Sequence, residues 1–168
     1  LEGQDLNEHL QQKYSLTEEE SARNRQNMAD AGERAGFTFN FDGKRIMINS
    51  FDLHRLLMWA REEGKQTELK LAFFEAHFTD LKYLNQEDAL LDVVEKVGLN
   101  KDTAREILHS DKYVQTVHQE QDRFKQMGIT SVPTFIINDK YAISGGQPSD
   151  SFIQALKQIS EEEAKQDA

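Results

Sequence analysis

The sequence predicts an α/β protein that is mostly α-helical and ends in one β-hairpin followed by one more helix. Apolar residues recur at helical spacing through most of the first 127 positions. β-Branched and aromatic residues then cluster in two short runs, 134–137 and 141–144, with Asn138-Asp139-Lys140 between them. A last apolar stripe of helical spacing follows Pro148 and consists of Phe152, Ile153, Leu156 and Ile159.

Local signals place the helices in the first part of the chain. Thr17 and Glu20 have the spacing of a capping box, so a helix should begin there and run to about Ala35, before Gly36. Asn49-Ser50 predicts another N-cap. The remaining helices are expected over 5–14, from Phe51 to near Gly64, over 69–78, after Asn85, after Asn100 and over 111–127.

Phenylalanines mark two further segments. Phe37, Phe39 and Phe41 alternate with polar residues, which indicates a short extended segment with one apolar face before a turn at 42–43. The helix over 69–78 is apolar on more than one side, and such helices are usually buried. We therefore expect Phe73, Phe74 and Phe78 to belong to the core rather than to a cofactor pocket.

Charge and composition exclude several classes of function. The chain has 168 residues and a net charge of −10, and no block of Lys or Arg offers a surface to phosphates. Nucleic acid and anionic membranes are therefore not expected partners. No apolar run approaches the ~18 residues that a membrane-spanning helix needs.

The sequence contains no cysteine. These residues can therefore form no disulfide, no thiolate nucleophile and no zinc–thiolate site. His77, His109 and His118 are scattered, without a His-Glu-x-x-His pattern, so no metal site is predicted.

Pro133 stands at the start of the first predicted strand, the strand position at which a lost N–H is tolerated. Because most X-Pro bonds in folded proteins are trans, the residues alone favour an ordinary trans proline here. The hairpin is apolar on nearly both faces, and a lone two-stranded hairpin is only marginally stable. We therefore expect it to extend a sheet whose other strands precede Leu1.

Three stretches of the sequence resemble the FrnE-type branch of the DsbA-like thioredoxin-fold oxidoreductases. Gly-Ile-Thr-Ser-Val-Pro-Thr-Phe at 128–135, followed by the hairpin and Ser-Gly-Gly-Gln-Pro at 144–148, is similar to the carboxy-terminal half of that family. Asn-Ser-Phe-Asp-Leu-His-Arg-Leu at 49–56 resembles a family helix start, and Phe-Phe-Glu-Ala-His-Phe at 73–78 resembles the phenylalanine-rich helix that follows it. The resemblance covers nearly the whole chain.

The resemblance implies a thioredoxin-like fold that is interrupted by an inserted helical domain. Residues 1–127 would mainly form the insertion, residues 128–160 the carboxy-terminal ββα half of the thioredoxin fold, and residues 161–168 an acidic tail that is frayed or disordered. The family's Cys-x-x-Cys unit has no counterpart here and is expected upstream of Leu1. The chain is thus expected to be a fragment that holds no catalytic residue and is inactive by itself.

The resemblance also implies which residues contact the substrate. Val132-Pro133 would be the family's cis-proline pair, with Ser131 and Val132 exposed to an extended peptide or a thiol substrate that pairs like an added strand. His54, beside a helix start, could line the thiol site and tune a cysteine pKa. The alternative is a surface or half-buried histidine that packs its ring.

Three functions stay open on the sequence alone. The first is thiol-disulfide exchange with unfolded proteins or small thiols, without a resident cofactor. The second is a glutathione-dependent isomerase or transferase, as in the related 2-hydroxychromene-2-carboxylate isomerases and kappa-class glutathione transferases, which use a serine instead of the cysteines. The third is a peptide-binding, chaperone-like module without redox chemistry. The family implies a cytoplasmic location, and an open sheet edge would favour a homo-oligomer.

Overall fold

The computed structural model describes residues 4–42 and 45–166, apart from the side chains of Asn7 and Gln166. The elements in chain order are α1 (Leu6–Tyr14), α2 (Glu18–Arg34), α3 (Phe51–Glu62), α4 (Gln66–Phe74), a π-helical turn (Glu75–Thr79), α5 (Glu87–Lys96), α6 (Lys101–Leu108), α7 (Val114–Gln126), β1 (Thr134–Ile137), β2 (Tyr141–Ser144) and α8 (Ser149–Gln166). The chain divides into two compact units, Leu1–His118 and Gln119–Ala168. The first unit is helical, and the second contains the hairpin.

The predicted capping signals are present in the structure. Thr17 Oγ1 accepts a hydrogen bond from the Glu20 N–H at 3.2 Å, and Glu20 Oε2 accepts one from the Thr17 N–H at 2.8 Å. This capping box begins α2, which ends before Gly36 as expected. Before α3 the Asn49 side chain accepts from the Phe51 N–H, whereas Ser50 makes no side-chain capping bond.

The core of the first unit lies among α3, α4, α5 and α6, because these helices contribute its most deeply buried apolar side chains. Full burial of such side chains is the main favourable contribution to stability. The largest fully buried side chains are Leu56, Leu69, Leu84, Leu91, Val93, Val94 and Ile107.

Arg55 is a buried cation inside this apolar core and is only 4% exposed. Its Nε donates to the carbonyl oxygen of Lys112 at 3.0 Å, and its Nη1 pairs with Asp52 Oδ1 at 2.8 Å. Its Nη2 also donates to the carbonyl oxygens of Ile107 and Ser110. The guanidinium therefore joins α3 to the end of α6 and to the segment before α7.

Two expectations for the helix over 69–78 are wrong. The α-helix ends at Phe74 and the chain continues as the π-helical turn. Phe73 is buried, but Phe74 is 41% exposed, Phe78 is half-buried and Leu71 is 59% exposed. Apolar residues on several sides of this helix reflect an open groove beside it rather than burial all round.

The segment with alternating phenylalanines does not form a strand. Residues 37–41 lie outside the named strands, although the ring centroids of Phe37 and Phe39 are 4.8 Å apart and that of Phe39 is 5.6 Å from Phe78. The bend at Asp42 is described, whereas the predicted turn partner Gly43 lies outside the described residues. Aromatic packing thus replaces strand pairing in this segment.

Helix α7 begins at Val114, later than the predicted start at residue 111. Tyr113 has a φ of +64°, which lies outside the α-helical region and delays the helix. The boundary between the two compact units lies within α7, after His118. The predicted division after residue 127 concerns the inserted domain of the family that the sequence resembles, and it stays a prediction.

The second unit contains the predicted hairpin. β1 and β2 pair antiparallel with Thr134 opposite Ser144 and Ile137 opposite Tyr141. Phe135 packs edge-on against Phe152 of α8, with 4.7 Å between ring centroids. α8 is helical through the acidic residues to 166, and residues 167–168 of the expected tail lie outside the described part of the chain.

Candidate functional site

The loop 131–133 leads into β1 and is held at both ends. Thr134 Oγ1 donates to the Ser131 carbonyl oxygen at 2.8 Å, and the Gly145 N–H donates to the Pro133 carbonyl oxygen at 2.8 Å. The Val132–Pro133 peptide bond is cis. The hairpin therefore begins with a short, hydrogen-bonded loop that consists of Ser131, Val132 and Pro133.

Val132 is the most exposed large apolar residue of the described chain, at 90%. Within the described part of the chain, neither its N–H nor its carbonyl oxygen takes part in a backbone hydrogen bond. Backbone polar groups need partners, and none of the described residues supplies a backbone partner here. An extended peptide could pair with this backbone as an added strand does.

A separate apolar groove of about 460 Å³ opens in the first unit. Its walls come from α1, from the segment before α3, and from α3, α4 and the π-helical turn. The lining residues are Leu6, Ile46, Met47, Ile48, Ser50, Leu53, His54, Leu57, Lys70, Phe73, Phe74, His77 and Phe78. Grooves of this size with mostly apolar walls and a few polar groups are typical of ligand sites.

His54 lies in the wall of this groove, with its outer side in solvent. Partial burial lowers the pKa of His54, and the nearby ammonium group of Lys70 lowers that pKa further. The imidazole is therefore neutral near pH 7 and can donate or accept a hydrogen bond at the groove. Lys70 was not predicted as a site residue, because nothing in its local sequence places it beside His54.

The other histidines do not gather around a metal site. His109 bonds to Glu87 at 2.6 Å, the His118 ring packs 5.0 Å from the Phe51 ring, and His77 lies in the groove wall. Among residues 4–42 and 45–166, no group of three His, Asp or Glu side chains is arranged to hold a metal ion. None of the described helices is long and apolar enough to cross a bilayer.

The structure thus brings three of the four predicted site residues together. Ser131, Val132 and Pro133 are neighbours at the hairpin, whereas His54 belongs to the other compact unit. The predicted substrate roles of all four residues stay predictions.

Comparison with known proteins identifies the family. The family model of the DSBA-like thioredoxin domain matches residues 5–157, so the chain belongs to that family. A curated relative, the uncharacterized protein YwbO of Bacillus subtilis, is 32% identical over 108 residues, which are 64% of this chain and 52% of the relative. The chain therefore spans about half the length of that relative.

A solved structure agrees with this assignment. The crystal structure of a "probable DsbA oxidoreductase" from Streptomyces coelicolor superimposes with a TM-score of 0.87 and 30% sequence identity. The match covers 92% of this chain and 67% of that protein. The chain has a DsbA-like thioredoxin fold that is mostly helical, with a small carboxy-terminal sheet and a final helix.

Proposed function

We propose that this chain is part of a thiol-disulfide oxidoreductase of the FrnE type. The observation that carries the proposal is the exposed Val132, whose backbone has no hydrogen-bond partner in the described chain, at the start of β1 in a protein of the DSBA-like family. The similarity to a probable DsbA oxidoreductase supports the reaction type. Because the chain has no cysteine, the redox pair would lie on a segment outside this sequence.

In the proposed reaction, a thiolate of that pair attacks one sulfur of a substrate disulfide and forms a mixed disulfide, while the other substrate sulfur leaves as a thiolate. The second cysteine then attacks the enzyme sulfur of the mixed disulfide. This step releases the reduced substrate and leaves a disulfide in the enzyme, so two electrons pass to the substrate. The backbone of Val132 would align the substrate strand for both attacks.

The proposed substrates are disulfides of unfolded proteins or of small thiols such as glutathione, and the proposed compartment is the cytoplasm. Both rest on the resemblance to the FrnE branch. Fractionation of the cells that produce the protein tests the compartment, since recovery outside the cytoplasmic fraction would contradict it.

Insulin reduction by the full-length protein tests the proposal. We expect activity in the full-length protein, loss of activity after thiol alkylation, and none in the isolated 168-residue chain. Val132→Pro removes the backbone donor and should lower kcat/KM by about tenfold, whereas Val132→Thr keeps that donor and should stay within about twofold. Equal activity of both variants would contradict strand-like pairing at Val132.

The zero cysteine count favours a second candidate, a peptide-binding module without redox chemistry. Saturable binding of unfolded peptides by the full-length protein, together with no thiol-dependent activity, would establish this alternative. A glutathione-dependent reaction that persists after thiol alkylation would instead support the serine-based isomerases or transferases of the related families.

A further inference from the structure

Arg45 is a buried cation with an unmatched hydrogen-bond donor. The residue is 7% exposed, and its Nε–H has no acceptor among the described residues. The guanidinium carbon lies 5.0 Å from the ring centroid of Phe41 and 5.8 Å from that of Phe78. The ring faces attract the charge, but they offer no oxygen acceptor to the Nε–H group.

Nearby charges of both signs act on this buried cation. Burial is the main cause that lowers the pKa of Arg45, the positive charge of Arg25 lowers it further, and only the carboxylate of Asp5 acts in the opposite direction. A buried charge is unfavourable unless a partner of opposite charge compensates for the lost hydration. The site is therefore electrostatically suited to receive an anion.

A small cavity of about 60 Å³ lies directly against Arg45. The residues that line it are Arg45, Ile46, His77, Leu81, Lys82 and Tyr83. Among the described residues that line it there are two cations, Arg45 and Lys82, and no carboxylate. The cavity is several times larger than the ~10–15 Å³ that one water requires, so it can accept a carboxylate group.

The small cavity adjoins the apolar groove described above. Ile46 and His77 line both spaces, so the cavity beside Arg45 and the apolar groove are neighbours. The planar fork of an arginine matches the two oxygens of a carboxylate. An apolar body that covers exposed aromatic surface, such as that of Phe74, would stabilise the complex.

We propose that the first unit binds an amphipathic carboxylate, with its head group at Arg45 and Lys82 and its hydrocarbon part in the apolar groove. This ligand site lies in the unit 1–118, whereas Val132, the residue proposed to contact the thiol or disulfide substrate, lies in the other unit. The proposal does not depend on the redox function.

Calorimetry with the full-length protein measures separately how much the carboxylate and the hydrocarbon chain of a ligand contribute to its affinity. Decanoate supplies both a carboxylate and an apolar chain, decanol supplies only the chain, and acetate supplies only the carboxylate. We expect decanoate to bind at least about tenfold more tightly than decanol, and acetate to bind weakly. Equal affinities for decanoate and decanol would overturn the proposal.

Arg45→Met tests the head-group contact and should weaken decanoate binding by about tenfold while decanol binding changes less than about twofold. Arg61→Met, which removes an exposed arginine of α3, is the matched control and should leave both affinities unchanged. If Arg45→Met does not fold, Lys82→Met decides the question, because Lys82 is exposed and its loss should still weaken decanoate by about threefold. The proposal is overturned if decanoate binding is unchanged in Lys82→Met and in any Arg45→Met protein that folds. This outcome counts even if substitutions of the residues that line the apolar groove reduce decanol binding.

Discussion

Arg55 Nε donates a hydrogen bond to the carbonyl oxygen of Lys112, 57 positions further along the chain, across 3.0 Å. This bond satisfies a backbone acceptor that has no partner within a helix, since Lys112 precedes α7. The same guanidinium bonds to the carbonyl oxygen of Ile107 in the last turn of α6 and to that of Ser110, two residues beyond the end of that helix. A single side chain of α3 therefore fixes the connection between α6 and α7.

Arg55→Met should destabilise the protein strongly, because it removes a buried cation that donates to three backbone carbonyl oxygens and pairs with Asp52. We expect a loss of about 3–5 kcal/mol in the free energy of unfolding, measured by urea titration of Trp59 fluorescence. Arg61→Met on the same helix is exposed and should change that free energy by less than about 0.5 kcal/mol. Similar losses in the two variants would contradict a special role for Arg55.

Tyr113 should lose its proton well above the usual pKa of a tyrosine. Burial, the 2.6 Å hydrogen bond to Glu62 and the charges of Glu62 and Glu63 raise the pKa of Tyr113 from 10.0 to about 12. Since the folded-state pKa is raised, this contribution to stability is complete below pH 10 and is lost as the pH rises towards 12.

Ultraviolet titration of tyrosinate tests this expectation. The late-titrating step should disappear in Tyr113→Phe and remain in Tyr14→Phe, which removes an exposed ring. The absence of a tyrosinate step near pH 12 that depends on Tyr113 would show that the contact with Glu62 does not form in solution.

His54 should have a pKa below its usual value of 6.5, first because the residue is partly buried and second because Lys70 is positively charged. Its folded-state pKa is depressed, so the unfolded chain binds more protons below about pH 6.5. The contribution of His54 to stability is therefore present above pH 6.5 and is lost as the pH falls towards the lowered pKa.

Nuclear magnetic resonance titration of the imidazole tests the two causes separately. Lys70→Met should raise the pKa of His54, but not to 6.5, because the effect of burial remains. Lys13→Met removes an exposed cation in α1 and serves as the control that should leave the pKa unchanged. An unchanged pKa in Lys70→Met would contradict the proximity of the two side chains.

Gly32 should not tolerate a methyl group, although alanine is the better helix former by about 1 kcal/mol. A Cβ atom at this position of α2 would lie 2.6 Å from the Phe37 carbonyl oxygen and 2.6 Å from Cδ2 of Phe39. We expect Gly32→Ala to lower the free energy of unfolding by about 1–3 kcal/mol in a urea titration.

A double variant identifies the clash. Phe39→Leu should recover part of the loss in Gly32→Ala, because it removes the ring atoms while the carbonyl oxygen of Phe37 stays in place. An increase in stability for Gly32→Ala alone would show that α2 and the phenylalanine segment lie further apart.

Features that depend on neighbouring residues could be predicted from the sequence. The capping box at Thr17 and the hairpin runs at 134–137 and 141–144 are local signals, and the structure reproduces them. The assignment of Val132 and Pro133 to a substrate site rests on the family resemblance, because no local periodicity indicates it, and it stays a prediction.

Features that depend on distant parts of the chain could not be predicted. Phe74 has the same apolar pattern as Phe73, yet only the tertiary fold decides that one side chain is exposed in a groove and the other is buried. Arg45 and Arg55 look like ordinary surface arginines in the sequence. Their burial results from contacts with Phe78 and Lys112, 33 and 57 positions away by the residue numbers, and no local pattern encodes such contacts.

The turn of the hairpin limits how homologous sequences can vary. Asn138 and Asp139 both have positive φ angles, 52° and 53°, which is the pattern of a type I′ turn. One residue added or removed between β1 and β2 would move Thr134 away from Ser144 and turn alternate side chains to the opposite face. Relatives that keep the Val132 loop should therefore keep the length of this turn, even where the surrounding surface has diverged.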